Sequence, residues 1–565
     1  MQRSRRRSSI ISGPLPLASM ANITTVFPHP TLGSITGKVV GNLVQFKNIP
    51  YGKTSQRFAR SSFVQDLPKR SPEQSYNATD NPPASIQPID SGRMDCKGNQ
   101  FPMDLMDGYE EAQSEDCLRL NITMPASALR ADNTLPVLVF VHGGAFFIGS
   151  STRPYYDPLV LCESALKSGT PQIFVSMNYR LGGLGFFHSP EANKLMPANN
   201  GIHDQRIGFE WVRQFIGGFG GDVENINAMG QSAGGMSVTI HNLSGHDNVW
   251  KRSIQFSGSL ATMPNKSPAQ HQENFLAQAK KLGLDPAGKT SKQLAQEMIS
   301  LPVDAIRKAG YVGLPCSESK MLPYSLLNPT ALMSKRPPQS PSLASQIVSS
   351  TTYDGGISYN LMIENTSRKN HAQTFGQIAK SALSDPQALL DLYSLEPDSE
   401  GNQDDANALR KICQFESDIG FWAASLSQAR GFPGKTYLLL FDLGIPFEGL
   451  LPAGECATHT WDIVALLGSC EERLNAEYRV TIGEFRQKIL RYVSLGEEPW
   501  PVWTEEEGKA MVVGKEGLRV VGKEDYMGAL TRRGKLLALA DKEAGEDGID
   551  LMWGGVCRRF LMDGR

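Results

Sequence analysis

Residues 225–241 read NINAMGQSAGGMSVTIH: a short apolar run, then Gly230-Gln231-Ser232-Ala233-Gly234, then a segment that suits a helix. A G-x-S-x-G run between strand and helix is an elbow. It forces the central Ser into a strained backbone conformation, and the positions two before and two after it must lack side chains so that strand and helix can pack closely. The hydroxyl then stands at the C-terminal edge of a sheet, beside a helix N-terminus whose free N–H groups and positive dipole end favour an anion. With 54 glycines in 565 residues, five such residues can meet by accident. Their weight comes from the segments around them.

Upstream, residues 135–147 read LPVLVFVHGGAFF, an apolar strand run that ends in His142-Gly143-Gly144. Such an HGG loop offers backbone N–H groups to a developing oxyanion. Between the two lies GIHDQRIGFEWVRQFIGGFGGD, residues 201–222, an amphipathic helix with a glycine cluster just before the nucleophile strand. With FKNIPYG (46–52), SEDCLRLNI (114–122), VHGGAFFIGS (141–150), NYRLGGLGFF (178–187), NNGIHDQ (199–205), FGGD (219–222) and GQSAGG (230–235) in this order, the chain resembles the type-B carboxylesterase/lipase family, the cholinesterase-like branch of the α/β-hydrolases. The resemblance runs from about residue 33 onward. It is dense to about residue 258 and thinner beyond, where only the neighbourhoods of an acid and a His stand out. It implies an α/β-hydrolase fold, a large and mostly parallel sheet with helices on both faces, and a serine esterase that uses neither metal nor organic cofactor.

The length of 565 residues suggests several domains. The elbow argues otherwise, because its partners extend to His459 and one sheet must span most of the chain. The reading is a single catalytic unit over 22–565 with a helical insertion at 263–342. Hydrophobic residues at 40% and charged residues at 20% are ordinary for an enzyme with a large core, and a net charge of −2 gives no reason to expect nucleic acid. No apolar stretch approaches the roughly 20 residues of a membrane helix. Residues 1–21 open with a basic run, but Gly13, Pro14 and Pro16 break their apolar part, so a basic tail and a weak secretory signal both stay open. Sequons at Asn22, Asn77, Asn121, Asn242, Asn265 and Asn365 matter only to a secreted chain. Eight cysteines are too few for a disulfide scaffold. The resemblance implies one bridge, between Cys96 and Cys117. Secreted relatives often carry a second after the nucleophile helix, and the absence of Cys between Cys162 and Cys316 leans towards an intracellular address.

In order along the chain, residues 33–51 alternate apolar and polar around Gly41-Asn42 and predict an antiparallel hairpin. Strands are expected at 118–123, 137–141, 173–178, 225–229, 253–256 and 346–352 and within 434–443, separated by helix-length segments, which implies a largely parallel sheet covered on both faces. Helices are expected at 270–282 and 291–299. Residues 283–290, GLDPAGKT, satisfy the Walker A expression, yet a phosphate loop must follow a buried strand, and here the preceding segment is helical with Gly283 as its cap.

In this fold the triad follows the order Ser, acid, His. Beyond Asp354 only His371 and His459 remain. His371 sits in polar SRKNHAQ and reads as a surface residue, whereas His459 follows the TYLLLFDL strand within THTWD, matching the family's His motif. Asp354 ends a strand before Gly355-Gly356, where the family usually has Glu; Glu364 and Asp442 are the other carboxylates to weigh, and a turn-forming Asp is the plain alternative. The catalytic set is therefore Ser232, Asp354 and His459, with Gly143, Gly144 and Ala233 as oxyanion donors and His142 supporting the glycines. Gln231 stands where the family commonly has Glu, and so removes a charge beside the nucleophile. No H-E-x-x-H or metal-spaced Cys/His set occurs; Cys456 with His459 is a chance C-x-x-H. The expected partner is a small-molecule ester, attacked by Ser232 to give an acyl-enzyme. Between Cys96 and Cys117 the segment carries Asp104, Asp107, Glu110, Glu111, Glu115 and Asp116, and its apolar residues are too clustered for a long lid helix, which favours a soluble substrate. An acyltransferase, thioesterase or secondary-metabolite enzyme with the same triad, and a non-catalytic binding protein of the same family, are the competing readings.

Overall fold

The computed structural model describes residues 23–68, 74–130, 134–244, 247, 249–318, 322, 329–337, 339–365, 367–395 and 404–562; the tail assigned to 1–21 lies outside them. Among these residues one sheet collects strands from Thr24–His29 to Gly517–Val521, in the spatial order Thr24–His29, Gly33–Val40, Leu43–Pro50, Arg119–Pro125, Ile173–Met177, Leu135–Val141, Gly221–Gln231, Arg252–Phe256, Ser345–Thr351, Lys435–Phe441, Ala510–Gly514, Gly517–Val521. Pairing is parallel from Ile173–Met177 through Ala510–Gly514 and antiparallel at both ends. The expected hairpin forms with Val40 opposite Leu43, so Gly41 and Asn42 are its two-residue turn.

Side-chain alternation explains why the central strands read as unbroken apolar runs. Successive residues of a strand point to opposite faces, and here both faces are covered. Val137, Val139 and Val141 enter one apolar cluster together with Trp211, Phe215 and Val238. Leu138 and Phe140 enter a second cluster with Tyr155, Trp461 and Phe485. A third, around Phe375, Trp422, Trp553 and Phe560, lies beneath the C-terminal helices.

Register places the chemistry. Gly230 pairs with Val141, and Gln231 and Ser349 both pair with Phe256. The C-terminal ends of these strands therefore lie along one edge, the edge at which open α/β sheets bind ligands. Four of the loops that leave it build the site: the HGG loop after Val141, the elbow after Gln231, the Asp354 loop after Thr351 and the His459 loop after Phe441. Residues 283–290 link the helices Pro268–Lys281 and Ser291–Ser300, and Thr290 caps the second with Gln293. No strand precedes them, so the Walker A match has no phosphate-binding context.

Candidate active site

Ser232 follows its strand at φ 55 and ψ −124 and heads the helix Ala233–Leu243. A side chain in that left-handed region is strained, and the surroundings hold it there. Its N–H donates to Phe256 O at 2.8 Å, while its carbonyl accepts from Met236 N–H at 2.9 Å. A Cβ on Gly230 would lie 2.2 Å from Gly234 O, and one on Gly234 would lie 2.0 Å from Val141 O. Those contacts are the physical content of the two flanking glycines.

The HGG loop is wound left-handed at three successive residues, Gly144 (φ 102), Ala145 (φ 55) and Phe146 (φ 57), and the N–H groups of Phe147 and Ile148 both donate to Gly144 O at 2.9 Å. A Cβ on Gly143 would lie 2.9 Å from Ser232 Cβ, which places this glycine against Ser232; one on Gly144 would lie 2.0 Å from Ile148 O. The His142 ring stacks on Tyr179 at 4.7 Å. Its Nδ1 lies 2.8 Å from Gly143 O, and the Tyr179 hydroxyl donates to His142 O at 3.0 Å. Burial pushes the His142 imidazole down to about 4, so it is neutral at pH 7 and braces the loop.

His459 and Asp354 come together across 105 residues of sequence. His459 Nδ1 donates to Asp354 Oδ1 at 2.8 Å, and both side chains are buried. Asp354 Oδ2 accepts from Thr351 N–H at 2.8 Å, and Ser417 Oγ accepts from Gly355 N–H at 2.8 Å. The two loops are joined by a parallel bridge between Tyr353 and Thr458, with Tyr353 N–H donating to Ala457 O at 3.0 Å. That bridge brings the acid and His backbones close, so an Asp reaches the imidazole where the resembled family uses the longer Glu. Of the other carboxylates weighed, Glu364 pairs with Lys97 on the surface and Asp442 is exposed. His371 is not the surface residue its polar neighbours suggest. It opens the helix His371–Ala382 and is buried against Phe560, with Asp405 3.7 Å from its Nε2.

Three side chains make contacts at the site that the sequence did not show. Phe421 stands with its ring 5.2 Å from His459, on a π-helical turn, Ser417–Trp422, whose spacing no helical pattern anticipates. Asp462 is fully buried, and burial first and the neighbouring Asp354 second push its carboxyl up to about 7. The Gln231 amide Nε2 lies 3.2 Å from His459 Nε2 and donates to Thr460 Oγ1 at 2.9 Å; its position was conspicuous in sequence, its contact with the histidine was not.

The expected Cys96–Cys117 bridge is absent: both thiols are free. Cys96, on the helix Ser91–Gly98, packs with Phe101 and Tyr155 in one cluster, and Cys117 with Tyr51 and Leu118 in the other, so the two thiols lie in different apolar clusters. Burial holds each thiol up at about 12, as expected of inert core cysteines. Arginines tie the acidic segment down in place of a disulfide. Arg473 binds Asp104 at 2.8 Å, Arg153 binds Glu111 at 3.1 Å, Arg57 binds Glu115 at 2.6 Å and Arg93 binds Asp107 at 3.1 Å. The sequons at Asn121 and Asn242 are buried, out of reach of a glycosylating enzyme in the folded chain.

A model of the carboxylesterase family matches residues 23–487. The chain belongs to the carboxylesterase family. The para-nitrobenzyl esterase of Bacillus subtilis (strain 168) is 32% identical over 245 residues, which is 43% of this chain and 46% of that protein. Lipase 2 of Geotrichum candidum is 32% identical over 271 residues, covering 44% and 47%. The matched span is about half the length of these curated relatives. A solved PNB esterase structure superposes with a TM-score of 0.70 at 21% identity, over 90% of this chain and 99% of that one. That likeness concerns the fold, the α/β-hydrolase architecture this family member was expected to have.

Proposed function

We propose that the protein is a serine carboxylic-ester hydrolase that works through an acyl-enzyme. Ser232 attacks the ester carbonyl, and His459 takes the Ser232 proton and returns it to the leaving alcohol. Asp354 orients His459, and the N–H groups of Gly143, Gly144 and Ala233 receive the oxyanion. Water, deprotonated by His459, then releases the acyl group. The observation that carries this reading is the 2.8 Å contact between His459 Nδ1 and Asp354 Oδ1, made at the sheet edge where the strained Ser232 is displayed. Covalent labelling by a fluorophosphonate probe tests it: wild type labels at Ser232 and hydrolyses short-chain aryl esters. A native protein that does neither is a binding protein of this fold, and the proposal fails. Acyl donors offered with and without added alcohols separate a hydrolase from an acyltransferase by the ratio of acid to new ester.

The substrate we infer is a soluble ester. The segment between Cys96 and Cys117 is acidic, and four of its carboxylates are engaged by the arginines named above, an arrangement unsuited to lying on lipid. The rate should rise smoothly through the solubility limit of a triglyceride; a jump at that limit would restore a lipase reading.

A further inference from the structure

We propose that Gln231 is a positioning residue that, in the substrate-free protein, caps the Nε2 lone pair of His459, and that an acyl substrate in the site transfers that lone pair to the Ser232 hydroxyl. The inference rests on the triad assigned above. Gln231 is buried at the end of the nucleophile strand. Its Oε1 occupies the space where a Cβ on Gly143 would be, 2.5 Å away, which leaves Nε2 turned to the other side. There it meets Thr460 Oγ1 at 2.9 Å and His459 Nε2 at 3.2 Å. An amide nitrogen can only donate. Because His459 Nδ1 donates to Asp354, its Nε2 carries the lone pair, and the Gln231 N–H fills it.

Two consequences follow. Ser232 needs the same lone pair to become a nucleophile, so the 3.2 Å contact must open during turnover. The shorter bond to Thr460 lets the carboxamide let go of the ring without losing both partners. The second consequence is electrostatic. The contact exists only while the ring is neutral, since an imidazolium would set Nε2–H against N–H; hydrogen bonding to one protonation state favours that state. A carboxylate at 231 would do the reverse and accept from the imidazolium. The other titratable groups facing the ring are Asp354 at Nδ1 and the buried Asp462, while Phe421 contributes an uncharged ring edge. All three are retained in changes at 231, so such changes read the carboxamide alone.

The test compares wild type with Gln231→Glu, Gln231→Met and Thr460→Val, using kcat/KM profiles and the ring titration of His459 by 15N NMR, its resonance identified by loss in His459→Asn. The acid limb and the ring titration move to higher pH in Gln231→Glu, by about one unit, or about tenfold in relative activity on the acid side. They move the same way by less in Gln231→Met and in Thr460→Val, which keeps Gln231 but removes its anchor. Fluorophosphonate labelling of Ser232 on the neutral plateau is faster in Gln231→Met than in wild type, because no amide competes for the base. Coincident ring titrations in all four proteins, with kcat/KM scaled equally at every pH, would overturn the inference and leave Gln231 a packing residue. A wild type inert to ester and probe would refute the proposed function, while the ring titration would still decide for or against Gln231.

Discussion

On one side of the site, Ser232, Gly143 and Gly144 are held by main chain: positive φ angles, backbone hydrogen bonds, and contacts with no room for a Cβ. On the other side, His459 and Asp354 are held by each other and by one further contact each, the Gln231 amide on His459 and the Thr351 N–H on Asp354, with the bridge from Tyr353 to Thr458 joining their loops. Backbone-built parts need particular residues at fixed spacing, and so they leave a dense trace in sequence. Side-chain-built parts need only that two atoms meet, and several local sequences arrange that. The comparison also predicts how each side fails: the nucleophile side through steric and conformational damage, the acid side through loss of one hydrogen bond with little change in fold.

Removing Ser232, the proposed nucleophile, has the largest expected effect. Ser232→Ala should lower kcat by about a million-fold while leaving the thermal midpoint close to that of wild type, because the half-buried hydroxyl contributes little packing. Retention of most aryl-esterase activity would remove Ser232 from the mechanism. Next comes Asp354→Asn, which keeps the shape but supports the wrong imidazole tautomer and should cost about ten-thousand-fold in kcat. Asp354→Glu sharpens the point. Although Glu is the residue the resembled family usually has here, the bridged loops of this chain are spaced for Asp, and the extra methylene should displace His459 and fail to restore activity. A Glu variant as active as wild type would show that the bridge does not set the distance.

Gly144→Ala probes the backbone-built side. Its φ of 102 and a would-be Cβ 2.0 Å from Ile148 O force the loop to move. Loss of an oxyanion donor costs about 2.7–4 kcal/mol of transition-state stabilisation. The expected signature is a kcat lowered by roughly a hundred- to a thousand-fold with little change in KM; an unchanged kcat would place the oxyanion donors elsewhere.

How much of this was legible follows the same division. The elbow, the HGG loop and the central strands could be read directly because glycines and two-sided apolar strands are demanded by geometry. Arg180 and Asp204, both inside quoted motifs, form a buried ion pair at 2.8 Å that braces the same region. The ends of the strands were harder: the nucleophile strand begins at Gly221, four residues before its apolar run, because the Gly- and Asp-containing start pairs only locally, with a register shift before Ile226. The bridge between Cys96 and Cys117 could not be tested by sequence, since spacing says nothing of which apolar cluster a thiol enters. Phe421 and Asp462 escaped because their roles come from neighbours supplied by distant segments.

The smallest predicted effect concerns stability, and it asks whether the acid side holds a proton the mechanism does not use. Asp462 is fully buried, its Oδ2 near Ser257 Oγ at 3.4 Å and Ser349 Oγ at 3.5 Å, its Oδ1 accepting from Ile463 N–H at 2.8 Å. Burial and the nearby Asp354 raise its carboxyl to about 7, whereas an unfolded Asp titrates near about 3.9. Between those values the folded protein binds more protons than the unfolded chain, so this group makes stability fall as pH rises from about 4 to 7. His142 and His271, each pushed down to about 4 by burial, act with the opposite sign, losing stability as pH falls below about 6.5. Both histidines are unchanged in Asp462→Asn, so the difference between variant and wild type isolates Asp462. Calorimetry across pH 4 to 8 should show the variant gaining on wild type as pH rises, by on the order of a few kcal/mol at neutrality, because an amide has no charge to suppress. Parallel stability curves would mean that Asp462 ionises with the same ease folded and unfolded, and that the His459 side accommodates two charged acids, Asp354 and Asp462.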